Sequence, residues 1–541
     1  MRPISKVFFF SLVIFLFFFL PALAGQLNSE FDLKSKTMSG SNLITNSIID
    51  DFLVNDDTGT ADQRFPAIAI DGSGKFVVTW DDCRTGASNG VYAQRYGATG
   101  YTVGSNFRVN DDTVAGYSES FPSIAMDLWG NFVITWEDHR YGWNIYAQRY
   151  NSSGTPLDSN FEVNDDAGFF YQWFPAIAGQ GSGGFVIVWV DDRTDPLGDI
   201  YAQRYDSSGT PIGPNFQVND DAGTSYQWFP AIAMGDSGDF VIMWEDRRNG
   251  GDDPDIYAKM YDSSGTQLDT SFKVNDDAGT RQYSPAVAMD GSSNFVVAWK
   301  DYRTHSHGDI YAQMYDSLGA RVGSNFKVND DTGDDTGSVG NTPLAVAMAG
   351  SGKFVITWDE KRNGTSDIYA QKYNSSGDPL DSNYLVPNLH YASFAQEYPA
   401  VAANDDSIYF TWQDNRRAKG WDIYAKVVDW IWTEVDENEE VNLPHTFELS
   451  QNYPNPFNPS TTIQFRVQGL RFREPVHTTL RVYNILGQLV RTLVDEEKPP
   501  GNYTVIWDGK DEKDKEVASG IYFYQLKTKD YTATRKMILL R

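Results

Sequence analysis

The sequence predicts an all-β chain: a seven-bladed β-propeller followed by a small β-sandwich. Three observations carry this. The phrase Trp136-Glu137-Asp138-His139-Arg140, a short loop, then Asn144-Ile145-Tyr146-Ala147-Gln148-Arg149-Tyr150 recurs at Trp80, Trp189, Trp244, Trp299, Trp358 and Trp412. Val-Asn-Asp-Asp recurs at Val54, Val109, Val163, Val218, Val274 and Val328, with a degenerate copy at Val386, in steps of 55, 54, 55, 56, 54 and 58 residues. The chain is 14% aromatic and carries 46 Gly, a composition of short strands and tight turns. A period near 55 without helical spacing means repeated small sheets.

Each repeat holds four strand signals. In the second copy they are Pro122-Ser123-Ile124-Ala125-Met126, Phe132-Val133-Ile134-Thr135-Trp136, Ile145 to Tyr150, and Phe161-Glu162-Val163. Turns such as Asp71-Gly72-Ser73-Gly74 and Ser152-Ser153-Gly154 separate them. Middle strands are apolar on both faces, as blades packed on two sides require. The small Ala-Ile-Ala core of the first strand suits crowding near an axis. Four strands in each of seven repeats read as a propeller of seven blades.

The repeats are out of phase at the two ends of the array. It opens with a fourth-type strand, Phe52-Leu53-Val54, and closes after a third-type strand, Ile423-Tyr424-Ala425. Residues 52–54 are therefore expected to complete the seventh blade with 399–428, which closes the ring and leaves no open sheet edge. With one cysteine, Cys83, no disulfide within the chain can do this work. Alternating strands also put the Val-Asn-Asp-Asp and Trp-x-Asp-x-Arg loops on one face, rich in charge. The Gly/Ser turns fall on the other face, which is expected to be bland.

Before the array, Arg2 and Lys6 precede an apolar run from Val7 to Leu20, and Ala22-Leu23-Ala24 reads as a cleavage site. Residues 1–24 are expected to be a removed secretory signal, leaving no transmembrane segment, and 25–49 a disordered leader. The propeller is then assigned to 50–429 and an acidic linker to 430–446. Net charge is −29, and the part before Phe447 carries 30 Lys and Arg against 62 Asp and Glu. So acidic a surface repels phosphate backbones and excludes nucleic acid as a partner. A monomer is expected.

After the linker the text changes. Leu449-Ser450-Gln451-Asn452-Tyr453-Pro454-Asn455-Pro456-Phe457-Asn458-Pro459 is followed by Val482-Tyr483-Asn484-Ile485-Leu486-Gly487, Gly501-Asn502-Tyr503, Trp507-Asp508-Gly509 and Ala518-Ser519-Gly520-Ile521-Tyr522. Alternation and turn spacing predict a small β-sandwich over 447–541. These motifs, with the terminal Lys536-Met537-Ile538-Leu539-Leu540-Arg541, resemble the C-terminal sorting domains of the type IX secretion system. That family overlaps in pattern with flagellar-hook-capping-type immunoglobulin-like domains. The resemblance implies an Ig-like β-sandwich, a partner in the secretion machinery, passage across an outer membrane, and release or surface attachment. It implies no catalysis. The repeats also look like Asp-Ile-Tyr-Ala-Gln-Arg-Tyr repeats of other secreted bacterial proteins, a likeness that implies no activity.

Candidate chemistry divides into repeated and unrepeated residues. The acid and arginine of the Trp-x-Asp-x-Arg box stand in all seven copies, which is a building rule, so a structural ion pair or turn bond is expected. Cys83 stands at a variable position of the box and reads as an inert side chain. The Asn-Asp-Asp loops could hold calcium, although they lack the spacing of a dedicated loop. No other cofactor is indicated. The six histidines are scattered, with only His305 and His307 close. The turn Asp71-Gly72-Ser73-Gly74 only slightly resembles a sialidase-type Asp box. No catalytic residue emerges.

The best unrepeated feature is aromatic. Tyr171-Gln172-Trp173 follows one Val-Asn-Asp-Asp loop and Tyr226-Gln227-Trp228 the next. Tyr141 and Trp143 lie in a loop of the adjoining blade, on the same face. Elsewhere the position of Trp173 holds Arg64, Ser120, Tyr283, Asn341 and Glu397, so it is expected to face solvent. Tyr141, Trp143, Tyr171, Trp173, Tyr226 and Trp228 are thus the candidate ligand-binding residues, for an extracellular glycan or a protein. A secreted binding or interaction module is the reading that follows. A polysaccharide-active hydrolase or lyase is the alternative, which a pair of carboxylates unpaired in the central channel would favour.

Overall fold

The computed structural model describes residues 47–430 and 448–540, apart from 85, 87–88, 112–116, 167, 169, 222, 224, 251–252, 278, 305–307, 331–337, 340–342, 363, 389–393, 468–475, 499–500 and 529–530. The signal sequence, nearly all of the leader, nearly all of the acidic linker, and His305 and His307 lie outside the described residues.

The chain is all-β, with no helix among the described residues: a seven-bladed propeller precedes an Ig-like sandwich. Blade 2 shows the pattern: Glu119–Met126, Phe132–Asp138, Asn144–Tyr150 and Phe161–Glu162 lie antiparallel in that order. Blade 6 differs, because Ser338–Val339 and Ala345–Met348 both pair with Phe354–Lys361 and make a five-stranded sheet. Second strands are buried except at Val133 and Lys361, and the tryptophan of every box is wholly buried. Fully burying so large a ring contributes several kcal/mol per blade by area, on the order of 25 cal/mol per Å².

The box is a structural lock. Asp138, wholly buried, accepts from Trp136 Nε1 at 3.0 Å and from Arg140 Nη2 at 2.7 Å. The Arg140 guanidinium lies over the Tyr146 ring of the next strand, 4.5 Å from its centroid, and reaches Asp111 of the preceding Val-Asn-Asp-Asp loop at 2.9 Å. The same set recurs in blade 3 with Trp189, Asp191, Arg193, Tyr201 and Asp165. The carboxylate thus satisfies a buried indole N–H, and the two loops of the charged face are tied together.

The asparagine of Val-Asn-Asp-Asp holds the third strand of its own blade. Asn219 Oδ1 accepts the Ile200 N–H at 2.9 Å. At the start of the array this bond closes the ring: Asn55 Oδ1 accepts from Ile423 N at 2.8 Å. Ser47–Leu53 pairs antiparallel with Asp422–Asp429, in the order expected from the phase of the repeats. This strand begins earlier than expected. Ser47 to Ile49, read from sequence as leader, pair with Val428 and Val427. At the other end Trp430 is buried in the propeller and donates to the Asn404 carbonyl.

The C-terminal sandwich has two sheets. One joins Glu448–Leu449, Thr461–Val467 and Gly501–Trp507. The other joins Leu489–Lys498, Val476–Asn484, Gly520–Lys527 and Thr532–Leu539. Leu449, Phe465, Leu480, Trp507, Tyr524 and Met537 fill the space between them. No helix among the described residues is long and apolar enough to cross a membrane.

Candidate functional site

Among the described residues the first strands of six blades carry a bulge, and the bulge shapes the axis. In blade 3 the pairing slips between Trp173 and Ala176, and Phe174 takes a positive φ of 52° just before Pro175. Phe65, Phe121, Phe229, Ser284 and Tyr398 adopt the same conformation in their blades. A bulge gives one strand an extra residue and re-aims its side chain. Here the extra residues line the axial opening. Tyr398, Phe65, Phe121, Phe174 and Phe229 form an unbroken crescent, with neighbouring ring centroids 4.6–5.4 Å apart. With Ser284 and the following prolines they line a cavity of about 600 Å³.

The bulged N–H cannot pair within its own ladder. In three blades it is accepted instead by the side chain between Trp and Asp in the box of the preceding blade. Glu137 Oε1 accepts from Phe174 N at 2.7 Å, Glu245 Oε1 from Ser284 N at 2.7 Å, and Gln413 Oε1 from Phe65 N at 3.3 Å. This position varies around the ring: Asp81, Glu137, Val190, Glu245, Lys300, Asp359 and Gln413. Burial raises the Asp81 carboxyl well above the usual range, and the neighbouring Glu137 charge adds to the effect. Burial pushes Glu245 up to about 8, and the Lys300 ammonium down to about 8. These are desolvation effects on groups at blade junctions.

The aromatic candidates sit beside this opening, on blades 2 to 4. The Trp143 carbonyl accepts the Gln172 N–H at 2.9 Å, which pins the blade 2 loop to blade 3. Trp143 stacks on His139 with centroids 4.4 Å apart and meets Tyr171 and Trp173 edge-on at 5.9 and 6.1 Å. Trp173 lies 6.2 Å from Trp228 with planes inclined 24°. Trp228 contacts Tyr226 at 5.9 Å, and Arg247 lies over the Tyr226 ring. Trp228 also meets Phe174 at 5.7 Å, so the platform is continuous with the axial crescent. Tyr141 stands apart from these ring contacts and is 81% exposed.

Trp173 was expected to face solvent, and the structure corrects this. It and Trp228 are half-buried and pack on a cluster that contains Val190, Ile232 and Trp244. Val190 stands where other blades carry a polar residue, so blade 3 has an apolar floor there. The Trp228 indole N–H donates to the Leu197 carbonyl at 2.9 Å. The open faces of the platform come mainly from Trp143 and Tyr171, 39% and 47% exposed.

Sequence reading missed Phe174, Phe229 and the rest of the crescent, as well as His139. The signal was the residue before each first-strand proline, aromatic in five blades and serine in blade 5. No cluster of three or more acidic, histidine or cysteine side chains is placed to hold a metal ion among the described residues. Among the described residues the acids of the Asn-Asp-Asp loops are bonded within the protein: Asp165 takes Arg193 at 2.7 Å and the Asn215 N–H at 3.1 Å.

Residues 461–531 match the FlgD Ig-like domain family. No curated protein matches the chain. Among solved structures, a protein of unknown function from Dyadobacter fermentans is 9% identical, with a TM-score of 0.42 over 71% of this chain and 98% of that one. An α-L-arabinanase of Penicillium chrysogenum, complexed with arabinobiose, is 11% identical, with a TM-score of 0.40 over 57% and 92%. PorZ, a surface component of the type-IX secretion system of Porphyromonas gingivalis, is 12% identical, with a TM-score of 0.36 over 91% and 60%.

Proposed function

We propose that this protein is an extracellular binding module whose propeller holds a glycan on the platform formed by Trp143, Tyr171, Trp173 and Trp228. The observation that carries the reading is the continuous run of rings across three blades, open to solvent at Trp143 and Tyr171 and leading to the axial cavity. Flat rings present a low-entropy apolar surface to the C–H face of a sugar, and polar groups at the rim can hydrogen-bond its hydroxyls. Calcium in the Asn-Asp-Asp loops remains part of the proposal, to be checked by binding with and without chelator.

Binding is favoured over hydrolysis or elimination by the burial of two unrepeated carboxyls at the blade junctions. Asp81 and Glu137 are 1% and 2% exposed, and Glu137 is engaged by a backbone N–H. A catalytic pair must reach the ligand. The test is Trp173→Ala with Trp228→Ala on a glycan array, with turnover followed in parallel. Truncating such contacts is expected to weaken binding at least about tenfold, or roughly 1.4 kcal/mol. Unchanged binding by the double variant would refute the platform, and turnover by the wild type would favour the enzyme.

We further propose that the chain is secreted, and that the Ig-like domain directs its export and leaves binding untouched. The ordered motifs from Leu449 to Tyr522 support this. Deleting 447–541 in a host with type IX secretion is expected to trap the protein in the periplasm. Normal surface display of the deletion would overturn it.

A further inference from the structure

The face opposite the platform carries one aromatic break in its pattern of turns; blade 7 also departs from it, with Asn404-Asp405-Asp406. The turn between first and second strands reads Asp71-Gly72-Ser73-Gly74 in blade 1, Gln180-Gly181-Ser182-Gly183 in blade 3 and Ala349-Gly350-Ser351-Gly352 in blade 6. Blades 4 and 5 keep the serine as Ser237 and Ser292. Blade 2 has Asp127-Leu128-Trp129-Gly130. That face, expected from sequence to be bland, is not bland here.

The turn does not need this tryptophan. Asp127 Oδ1 accepts from Trp129 N at 2.9 Å and Asn131 N at 2.8 Å. Asp71 Oδ1 holds Ser73 N and Lys75 N in the same way at 2.8 and 3.0 Å. The backbone is thus fixed identically around a serine. Trp129 is 63% exposed, so its ring adds little to the core. Leu128 anchors the turn, because it lies over Gly72 and Gly181 of the two neighbouring blades, where an added Cβ would meet it at 3.4 and 3.0 Å.

Trp129 walls a groove of about 330 Å³ between blades 2 and 3, shared with Asn151, Gln180, Ser182 and Ser207. Arg149 also lines it, but its guanidinium is engaged by the Ser207 carbonyl at 3.1 Å, the Ser208 carbonyl, and Asp158 at 3.4 Å. Met126, Leu157, the buried rings of Phe132 and Tyr150, and the Asp127 carboxylate, engaged by Trp129 N and Asn131, also line it. The groove therefore offers one exposed flat ring beside carboxamides and hydroxyls, with its cation and its carboxylate already engaged. That chemistry suits a neutral polyol. It does not suit a phosphate or an acidic peptide, because the one guanidinium is already held by carbonyls and Asp158. The corresponding groove between blades 3 and 4 keeps Gln180, Ser182, Ser207 and Ser263 but has no aromatic ring from its turn.

We infer that the blade 2–blade 3 groove on the face opposite the platform is a second saccharide-binding site, with Trp129 as its stacking surface. It is independent of the platform, so the propeller holds glycan on both faces. The test uses the chain without its signal, titrated with cello-, xylo- and mannohexaose and read by tryptophan fluorescence and calorimetry. At least one hexaose is expected to bind, and Trp129→Ser to weaken that binding about tenfold. Trp129→Phe should retain most of it. Serine is what five other blades carry at this position, so Trp129→Ser should melt as the wild type does. The Trp173→Ala, Trp228→Ala variant should keep this binding, which separates the site from the platform. The inference is overturned if no hexaose binds the wild type or if Trp129→Ser binds each one equally well. It is overturned too if only phospholipid vesicles or a protein distinguish the variant.

Discussion

Asn55 and Asn219 hold equivalent positions, yet only one closes the ring, and this permits a controlled test of closure. Asn55 is 2% exposed and makes three buried bonds: it accepts from Ile423 N at 2.8 Å and donates to Asp422 Oδ1 at 3.0 Å and Gln63 Oε1 at 3.1 Å. Asn219 accepts from Ile200 N at 2.9 Å and donates to Asp199 at 2.7 Å and Asp221 at 2.8 Å. Replacing either with alanine strands a buried N–H, which with the lost bonds costs about 3 kcal/mol. The consequences differ because of the chain. Residues 47–54 precede the first blade and pair in a sheet only with Asp422–Asp429, so they can leave blade 7 without opening another blade and gain conformational entropy. Phe216–Gln217 is tied at both ends, so its release requires a wider opening. Hydrogen exchange is therefore expected to rise on the order of a hundredfold over 47–54 in Asn55→Ala. Over 216–219 in Asn219→Ala it should rise much less. Equal increases at the two sites would refute closure through the N-terminal strand.

Two further predictions concern buried charge. Glu245 titrates near 8 in the fold, above its unfolded value, so the folded state holds the extra proton. Stability is then full below the unfolded pKa and falls as pH rises toward 8. Glu245→Gln, which can still accept the Ser284 N–H, should melt progressively above the wild type from pH 5 to pH 8, and a pH-independent difference would count against this. Arg193→Met leaves Asp191 buried without its 2.7 Å guanidinium partner. It should lower stability by roughly 2–3 kcal/mol, less than a fully buried pair because Arg193 is partly exposed, and a urea midpoint unchanged from wild type would show the box is not a lock.

Much of the fold was legible because it is periodic. The wholly buried tryptophans, the strands before and after them and the closing strand all follow from a spacing that repeats near 55 residues. The adjacency of Trp173 and Trp228 was legible for the same reason, since equivalent positions in consecutive repeats become neighbours. Their depth was not. It depends on Val190, which stands on a different strand and supplies an apolar floor where Glu137 and Glu245 serve the neighbouring blades. His139 was missed because its significance lies in the ring it stacks on, Trp143, and not in its own surroundings in the sequence.

The sequence by itself determined the number of blades, the order of their strands, the phase at which the ring closes and the structural role of the box. Each is a local pattern multiplied by a period, and hydrophobic burial leaves one way to satisfy it. Only the tertiary structure decided that the residues before the prolines form an axial crescent, and that the variable box residues bond the bulged backbone of the next blade. It also decided that Trp129 walls a groove on the opposite face. These facts belong to junctions between blades, where partners such as Glu137 and Phe174 lie 37 residues apart in sequence and a bulge or a turn sets the direction of each side chain.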